Sequence, residues 1–333
     1  MSVNWSLKDT ASEKPGLIGM LVTFLMFALG VTISVVINPF VQFYFYNSAF
    51  PTSSEASDIF SGMRDNIGGL LLSCVIGTFL VILTIVVMRF GRYFATLITL
   101  LEQIAIYTGL SLLSSWIWWK YNPTNNAAVI AILPFFIYQL AAFITLEIAA
   151  LFGQGGRHAN NFVAIGCLVG AFIGVVRSID QNYFAYSGGI SLDQALGLSF
   201  AHSALDTVFF FGSCSLTSAC IARSKIGGTI FWHLFAFVMS LGLACAFGTY
   251  VIIAGYIPVI DSDAARYIVA SLIAVISVLI ALGVAFPMRK MVALHSASQN
   301  SGSQRSASQK RATPVATGYV VGGPVAANAV VMV

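Results

Sequence analysis

The sequence predicts an all-α fold, a polytopic membrane helix bundle of eight helices, and three observations carry that prediction. Apolar residues make up 58% of the chain and charged residues only 8%, against about 25% charged in an ordinary soluble domain, so too few charges are present to clothe a water-facing surface. Windows of about 20 predominantly apolar residues, the length that crosses a hydrocarbon core, recur near 17–46, 66–89, 93–118, 127–152, 161–178, 195–222, 228–255 and 265–288. Lysine and arginine fall mostly in alternate connections, as antiparallel spans oriented by basic loops require. A soluble protein with buried helices is the competing reading, and the charge deficit speaks against it.

Span 1 follows MSVNWSLKDTASEKPG, which carries acids, and its apolar run is too long for a signal-peptide core and lacks a small-residue cleavage site. It is expected to stay as a signal anchor. Its last stretch, Phe40, Phe43, Tyr44, Phe45 and Tyr46, belongs at headgroup level, where aromatic residues concentrate. Span 2 ends at the basic turn MRFGR. Span 3 carries Glu102 and Gln103 and ends in Trp116, Trp118 and Trp119, a second interfacial belt. Span 4 follows YNPTNN and carries Gln139 and Glu147. Span 5, GCLVGAFIG at its centre, is the shortest, with Arg177 and Asp180 placed just beyond its outer end. Span 6 contains FAHSALDTVFFFG, with His202 and Asp206 one turn apart. Span 7 follows ARSKIGG and carries His233, and span 8 follows YIPVIDSD and closes at Arg289 and Lys290.

Orientation follows from the basic residues. Lys8, Lys14, Arg89, Arg92, Arg157, Arg223, Lys225, Arg289, Lys290, Arg305, Lys310 and Arg311 collect on one side, while Arg64, Lys120, Arg177 and Arg266 fall on the other. Both termini are therefore expected in the cytoplasm. All five cysteines lie inside spans, so none is placed to staple an outer loop, and no outer loop carries a usable N-x-S/T sequon. The order of loop types repeats in outline, consistent with two four-helix halves related by an axis along the membrane normal. The expected organisation is a cytoplasmic N-terminal tail at 1–16, an eight-helix transmembrane domain at 17–289 and a disordered cytoplasmic tail at 290–333, where SASQNSGSQRSASQK is too polar to bury a core.

Ionisable groups at bilayer depth are costly and functional by default. Five occur here: Glu102, Glu147, His202, Asp206 and His233, with the neutral Gln103 and Gln139 beside them. His202 and Asp206 share a helix face and could ligate one ion. At about 1.5 Å per residue, however, Asp206 sits roughly 24 Å up span 6 and the other intramembrane histidine, His233, only about 8 Å up span 7. No metal and no haem is expected. The same estimate gives a ladder: Glu147 level with His233, Glu102 at about 13 Å, Gln139 at about 20 Å, and His202 near the outer interface. A proton or ion path would look like this. The plainer reading has Asp206 hydrogen-bonded to a neighbouring helix, His202 wetted outside and Glu147 snorkelling inside.

Packing signals are separate from these. Gly166, Gly170 and Gly174 bare one backbone strip of span 5, so that helix is expected to be central or at a dimer seam. Ser240, Ala244 and Gly248 form a similar stripe on span 7, continuing the face of His233, which should therefore meet protein rather than lipid. No Walker A, HExxH, GxSxG, CxxCH or arginine-repeat motif occurs. An acid followed by aromatics, Asp206 before Phe209 to Phe211, resembles four-helix membrane-organising domains of the MARVEL type, but helix order and direction differ from that pattern, so no family follows.

Two functions remain from the sequence. One is a secondary transporter or ion-conducting protein whose path passes Asp206, Glu102 and Glu147, with protons as coupling ion. The other is a non-transporting scaffold or assembly subunit, a tetraspan or MARVEL-like organiser, packing through its small-residue stripes. An enzyme is the lesser expectation, and no cofactor is called for. The expected partners are the lipid bilayer, a further copy of the chain, and a cytoplasmic protein reading Val331 and Val333 as a C-terminal strand motif, with no nucleic acid. Span lengths favour the plasma membrane or a late secretory membrane over the endoplasmic reticulum.

Overall fold

The computed structural model describes residues 16–49, 67–121, 127–151, 159–187, 192–224, 226, 229–255 and 263–311. These form eight helices and no sheet: α1 (Leu17–Ala49), α2 (Ile67–Met88), α3 (Tyr93–Tyr121), α4 (Ala127–Ala149), α5 (Ala159–Ser187), α6 (Leu192–Ser224), α7 (Thr229–Gly255) and α8 (Asp263–Arg311). Seven contain a window long and apolar enough to cross a membrane, and in α4 the apolar stretch among the described residues is Phe135–Leu151. The chain is a polytopic membrane protein.

Two helices make the centre. The apolar window of α5 is 94% buried and that of α6 83%, whereas the windows of the other five spanning helices are 28–39% buried. The glycine strip explains why these two lie together. A Cβ added at Gly170 would lie 2.6 Å from Phe211 Cα, and one at Gly166 2.6 Å from the Cys214 carbonyl oxygen; Gly174 faces the Thr207 backbone. Only the missing side chains allow α5 and α6 to meet backbone to backbone, the close approach that drives helix association where lipid leaves little hydrophobic gain. Because α6 of the same chain occupies this strip, the strip is not a dimer seam.

Around this pair stand α1, α2, α3, α4, α7 and α8, with α1 against α3, α4 against α7, and α8 against both α6 and α7. Their outward faces carry exposed apolar side chains such as Leu21, Leu25 and Leu29 on α1 and Leu71, Val75 and Phe79 on α2, as lipid contact requires. Buried hydroxyls and amides tie the outer helices to the centre. Ser73 meets Thr207 at 2.7 Å, Thr217 meets Ser240 at 2.7 Å, and Cys167 meets Ser215 at 3.0 Å across the α5–α6 contact. Each such bond contributes about 0.6–2 kcal/mol in a membrane protein. The small-residue stripe of α7 faces inward as well, with Ser240, Ala244 and Gly248 all buried.

Arg89, Arg92, Arg223, Arg289 and Lys290 mark one end of the bundle, called the basic end below. The turn between α2 and α3 lies there. The Phe90 amide donates to the Ile85 carbonyl (3.0 Å) and Arg89 adopts φ 51°, so the helix closes in a Schellman motif whose left-handed position is normally glycine. A non-glycine residue in that region costs roughly 1–2 kcal/mol. Arg89→Gly should therefore raise the unfolding free energy by about 1 kcal/mol. A lower thermal midpoint in detergent would show instead that the guanidinium makes contacts worth more than the strain.

Three expectations meet a different outcome. Span 5 is not the shortest helix: α5 has 29 residues and runs through Arg177 and Asp180 to Ser187, because neither proline nor glycine occurs between Gly174 and its end. Arg177 is thus a buried helical residue, 3% exposed, and not a loop residue. Lys290 does not end helical structure either, since α8 continues to Arg311 through a serine-rich stretch that contains Gly302 but no proline after Pro287; residues 312–333, with Val331 and Val333, lie outside the described residues. Finally, the two four-helix halves differ in packing role. α5 and α6 are central, while α1 and α2, their counterparts, lie at the periphery.

Candidate functional site

The register of the central pair locates the main polar cluster. Gly166 faces Cys214 and Ser218, Gly170 faces Phe210 and Phe211, and Gly174 faces Thr207, so α5 climbs from the basic end as α6 descends towards it. Arg177 lies one turn beyond Gly174 on the same face of α5, and Asp206 adjoins Thr207, the residue that Gly174 faces, so both belong to the outer part of the α5–α6 contact. Both side chains are buried, Asp206 completely. They interact electrostatically across the helix contact, and Asp206 acts in turn on Tyr250 of α7.

Aromatic rings enclose the cluster. The Arg177 guanidinium lies 4.7 Å from the centroid of Phe135 and 5.8 Å from that of Tyr138 on α4, within cation–π range. Phe135 contacts Phe247 (5.3 Å), which stacks on Phe209 (4.1 Å) and packs on Tyr250 (5.0 Å). Tyr138 accepts a hydrogen bond from Tyr107 of α3. Five helices therefore supply one cage lined by aromatic rings, roughly 20–30 Å from the basic end by helix rise. Inside it neither carboxyl oxygen of Asp206 has a hydrogen-bond partner. An ionised carboxylate so placed is held several kcal/mol above its level in water, and the Arg177 charge is the opposing influence. Taking up a proton, or gaining water by a small helix movement, relieves that cost. This is the chemistry the cage permits.

A second cluster lies at the basic end. His233 Nδ1 is 2.6 Å from Glu147 Oε1, and His233 Nε2 is 2.9 Å from Ser224 Oγ. The sequence-derived depths put Glu147 and His233 level, and the structure brings them into contact between α4 and α7. The distances match those of a serine–histidine–carboxylate triad, but the proton count does not. Ser224 donates its only hydroxyl proton to the Ile221 carbonyl at 2.6 Å, so Nε2 must carry hydrogen and Oγ accepts. Ser224 is also fully buried. The contact between Nδ1 and Oε1 then holds one further proton, as imidazolium with carboxylate or as imidazole with carboxylic acid. Without it two lone pairs would face each other. The arrangement is a proton-holding latch joining α4, α6 and α7, partly exposed at 31% for His233 and 24% for Glu147, with Arg223 beside it over the Trp232 ring at 5.5 Å.

Glu147→Ala should therefore lower the unfolding free energy by about 1–2 kcal/mol, a charge-assisted hydrogen bond discounted for partial exposure. Glu147→Gln, whose amide can donate to Nδ1, should keep most of it. Equal losses in both variants, read from thermal unfolding in detergent, would mean that the contact with His233 contributes nothing.

The remaining groups are dispersed. Gln139 is buried and donates its Nε2–H to Ser213 Oγ at 2.7 Å, so Gln139 and Glu147 of one helix face reach different partners, α6 and α7. Glu102 of α3 has a buried Oε2 without a hydrogen-bond partner and joins neither cluster through any contact found among the described residues. His202 belongs to α6, and its side chain lies outside the described residues. Asp206 and His233 are far apart, since His233 meets Ser224, roughly 27 Å along α6 from Asp206. Arg177, Tyr250 and Ser224 complete the two clusters and do not stand out as intramembrane candidates in the sequence. Arg177 had a legible signal, because it continues the face of Gly166, Gly170 and Gly174. No family model, curated protein or solved structure matches the chain.

Proposed function

We propose that the protein is a secondary transporter or ion-conducting protein in which Asp206 is the proton-exchanging group. The observation that carries this reading is the fully buried Asp206 carboxyl, lacking hydrogen-bond partners yet set against Arg177 and Tyr250 where the two central helices meet. A carboxyl serving only to hold helices together would be expected to make an interhelical hydrogen bond, as Gln139 and Ser73 do. In this reading the Glu147–His233 latch is the proton-holding step at the basic end, Glu102 and Gln139 are intermediate polar groups, and His202 is the outer one. The basic end is cytoplasmic by the positive-inside rule, which puts both termini in the cytoplasm, in the plasma membrane or a late secretory membrane. In this reading a cytoplasmic partner would read Val331 and Val333 as a C-terminal strand motif, and a homo-oligomer would form through lipid-facing surfaces rather than the glycine strip.

The scaffold reading has one observation in its favour: the backbone contact between α5 and α6 leaves no room for a solute between them. The deciding experiment is reconstitution into liposomes, with proton-linked flux measured for wild type and Asp206→Asn. Asparagine keeps size and polarity but cannot titrate. Flux in the wild type, abolished in a folded Asp206→Asn protein, is the expected result. A wild type with no flux under any gradient, and an Asp206→Asn protein of unchanged stability, would assign the scaffold.

A further inference from the structure

We infer that the basic end binds anionic phospholipids, whose phosphates meet a level of cations formed by Arg89 of α2, Arg223 of α6 and Lys290 of α8. The inference rests neither on the transport reading nor on which side of the membrane this end faces.

Helix register puts the three cations at one depth. α2, α6 and α8 all run towards the basic end. Ser73 of α2 meets Thr207 of α6 at 2.7 Å, and the same further rise of roughly 24 Å carries α2 to Arg89 and α6 to Arg223. A Cβ added at Gly212 of α6 would lie 3.5 Å from Ala281 Cβ and Leu282 Cγ of α8, so helix rise places Lys290 within about 5 Å of the same level. Arg223 lies over the Trp232 ring at 5.5 Å, and tryptophan concentrates at headgroup depth.

Charge and apolar surface together name the occupant. Among the described residues this end carries Arg89, Arg92, Arg223, Arg289 and Lys290 against one acid, Glu147, whose carboxyl already meets His233 at 2.6 Å. The excess positive charge therefore falls to the surroundings. Phosphate oxygens suit it, since guanidinium groups bind them bidentately and anionic headgroups attract basic side chains at the membrane surface. One turn inward from Arg89 and Lys290 stand the exposed Val86 and Phe286. A phospholipid satisfies both features at once, with its phosphate on the cation and its acyl chains along the apolar side chains. Free phosphate covers no apolar surface, and a water-soluble acidic protein does not reach side chains at hydrocarbon depth.

The full chain in neutral detergent, titrated with dioleoylphosphatidylglycerol or dioleoylphosphatidylcholine, tests this through its thermal midpoint, because a ligand of the folded state raises it. Phosphatidylglycerol should raise the midpoint at a concentration at least about tenfold lower than phosphatidylcholine requires. Arg89→Gln/Arg223→Gln/Lys290→Gln should lose that preference, whereas Arg266→Gln, near the opposite end of α8, should keep it. Equal responses of the wild type to the two lipids would overturn the inference. So would a preference that survives in the triple variant, or an equal rise produced by inorganic phosphate. If the triple variant does not fold, Arg89→Gln/Lys290→Gln, which changes only exposed residues, is read in its place, and an undiminished preference there overturns the inference.

Discussion

Gly170→Leu is expected to eliminate the folded protein, whereas Gly242→Leu leaves it intact. The Cβ of any residue at 170 would lie 2.6 Å from Phe211 Cα and 2.7 Å from the Phe210 carbonyl carbon. These are backbone atoms of a helix and cannot turn aside as a side chain can. Gly170→Ala must push α5 and α6 apart, and overpacking of that kind costs about 1–3 kcal/mol. A leucine forces a larger separation and also breaks the Cys167–Ser215 contact beside it. Gly242 has nothing within 4 Å of its added Cβ, and replacing an exposed helical glycine gains up to about 1 kcal/mol. Size-exclusion profiles and thermal midpoints in detergent give the answer. A monodisperse Gly170→Leu protein with a wild-type midpoint would mean that α5 and α6 do not meet as described.

Arg177→Met should be the most damaging substitution outside the glycine strip, lowering stability by about 3 kcal/mol. Methionine keeps the length and apolar body of the side chain but removes the charge that acts on Asp206 and the cation over Phe135 and Tyr138. The carboxyl is then left among rings with nothing to offset its burial. Adding Asp206→Asn to Arg177→Met should recover part of the loss, because the group that suffered from losing Arg177 is no longer ionisable. A double-mutant cycle from denaturant or thermal unfolding should give a coupling of at least about 1 kcal/mol. Additive single effects would show that Arg177 and Asp206 do not act as one unit.

Much of the fold was legible because membrane helices declare themselves through length and apolarity. The eight expected spans match α1 to α8 with shifts of a few residues at most ends; the exceptions are α5, which extends through Ser187, and α8, which extends through Arg311. Both exceptions have one cause. A window of apolar residues marks where a helix crosses the membrane, not where helical geometry ends, and neither Arg177 nor Lys290 breaks a helix. The glycine strip was legible because three glycines at four-residue spacing serve no other purpose in a helix, but which neighbour fills it was not, since that depends on tertiary arrangement. The level pairing of Glu147 with His233 followed from helix rise alone. Its completion by Ser224 did not, because a serine at the end of a helix carries no distinguishing signal. Asp206 was conspicuous by type and depth, and its companion Arg177 was hidden by the assumption that an arginine near a span's end lies in the interface.

The central claim is that Asp206 exchanges a proton within the folded protein, and its carboxyl stretch reports on that directly. Infrared difference spectra of the reconstituted protein across a pH change should contain a carboxylic-acid C=O band that shifts in D2O, disappears as the pH is raised, returns as it is lowered, and is absent from Asp206→Asn. If wild type and Asp206→Asn give identical difference spectra over the whole pH range in which both remain folded, Asp206 does not exchange a proton and the proposed path has no centre.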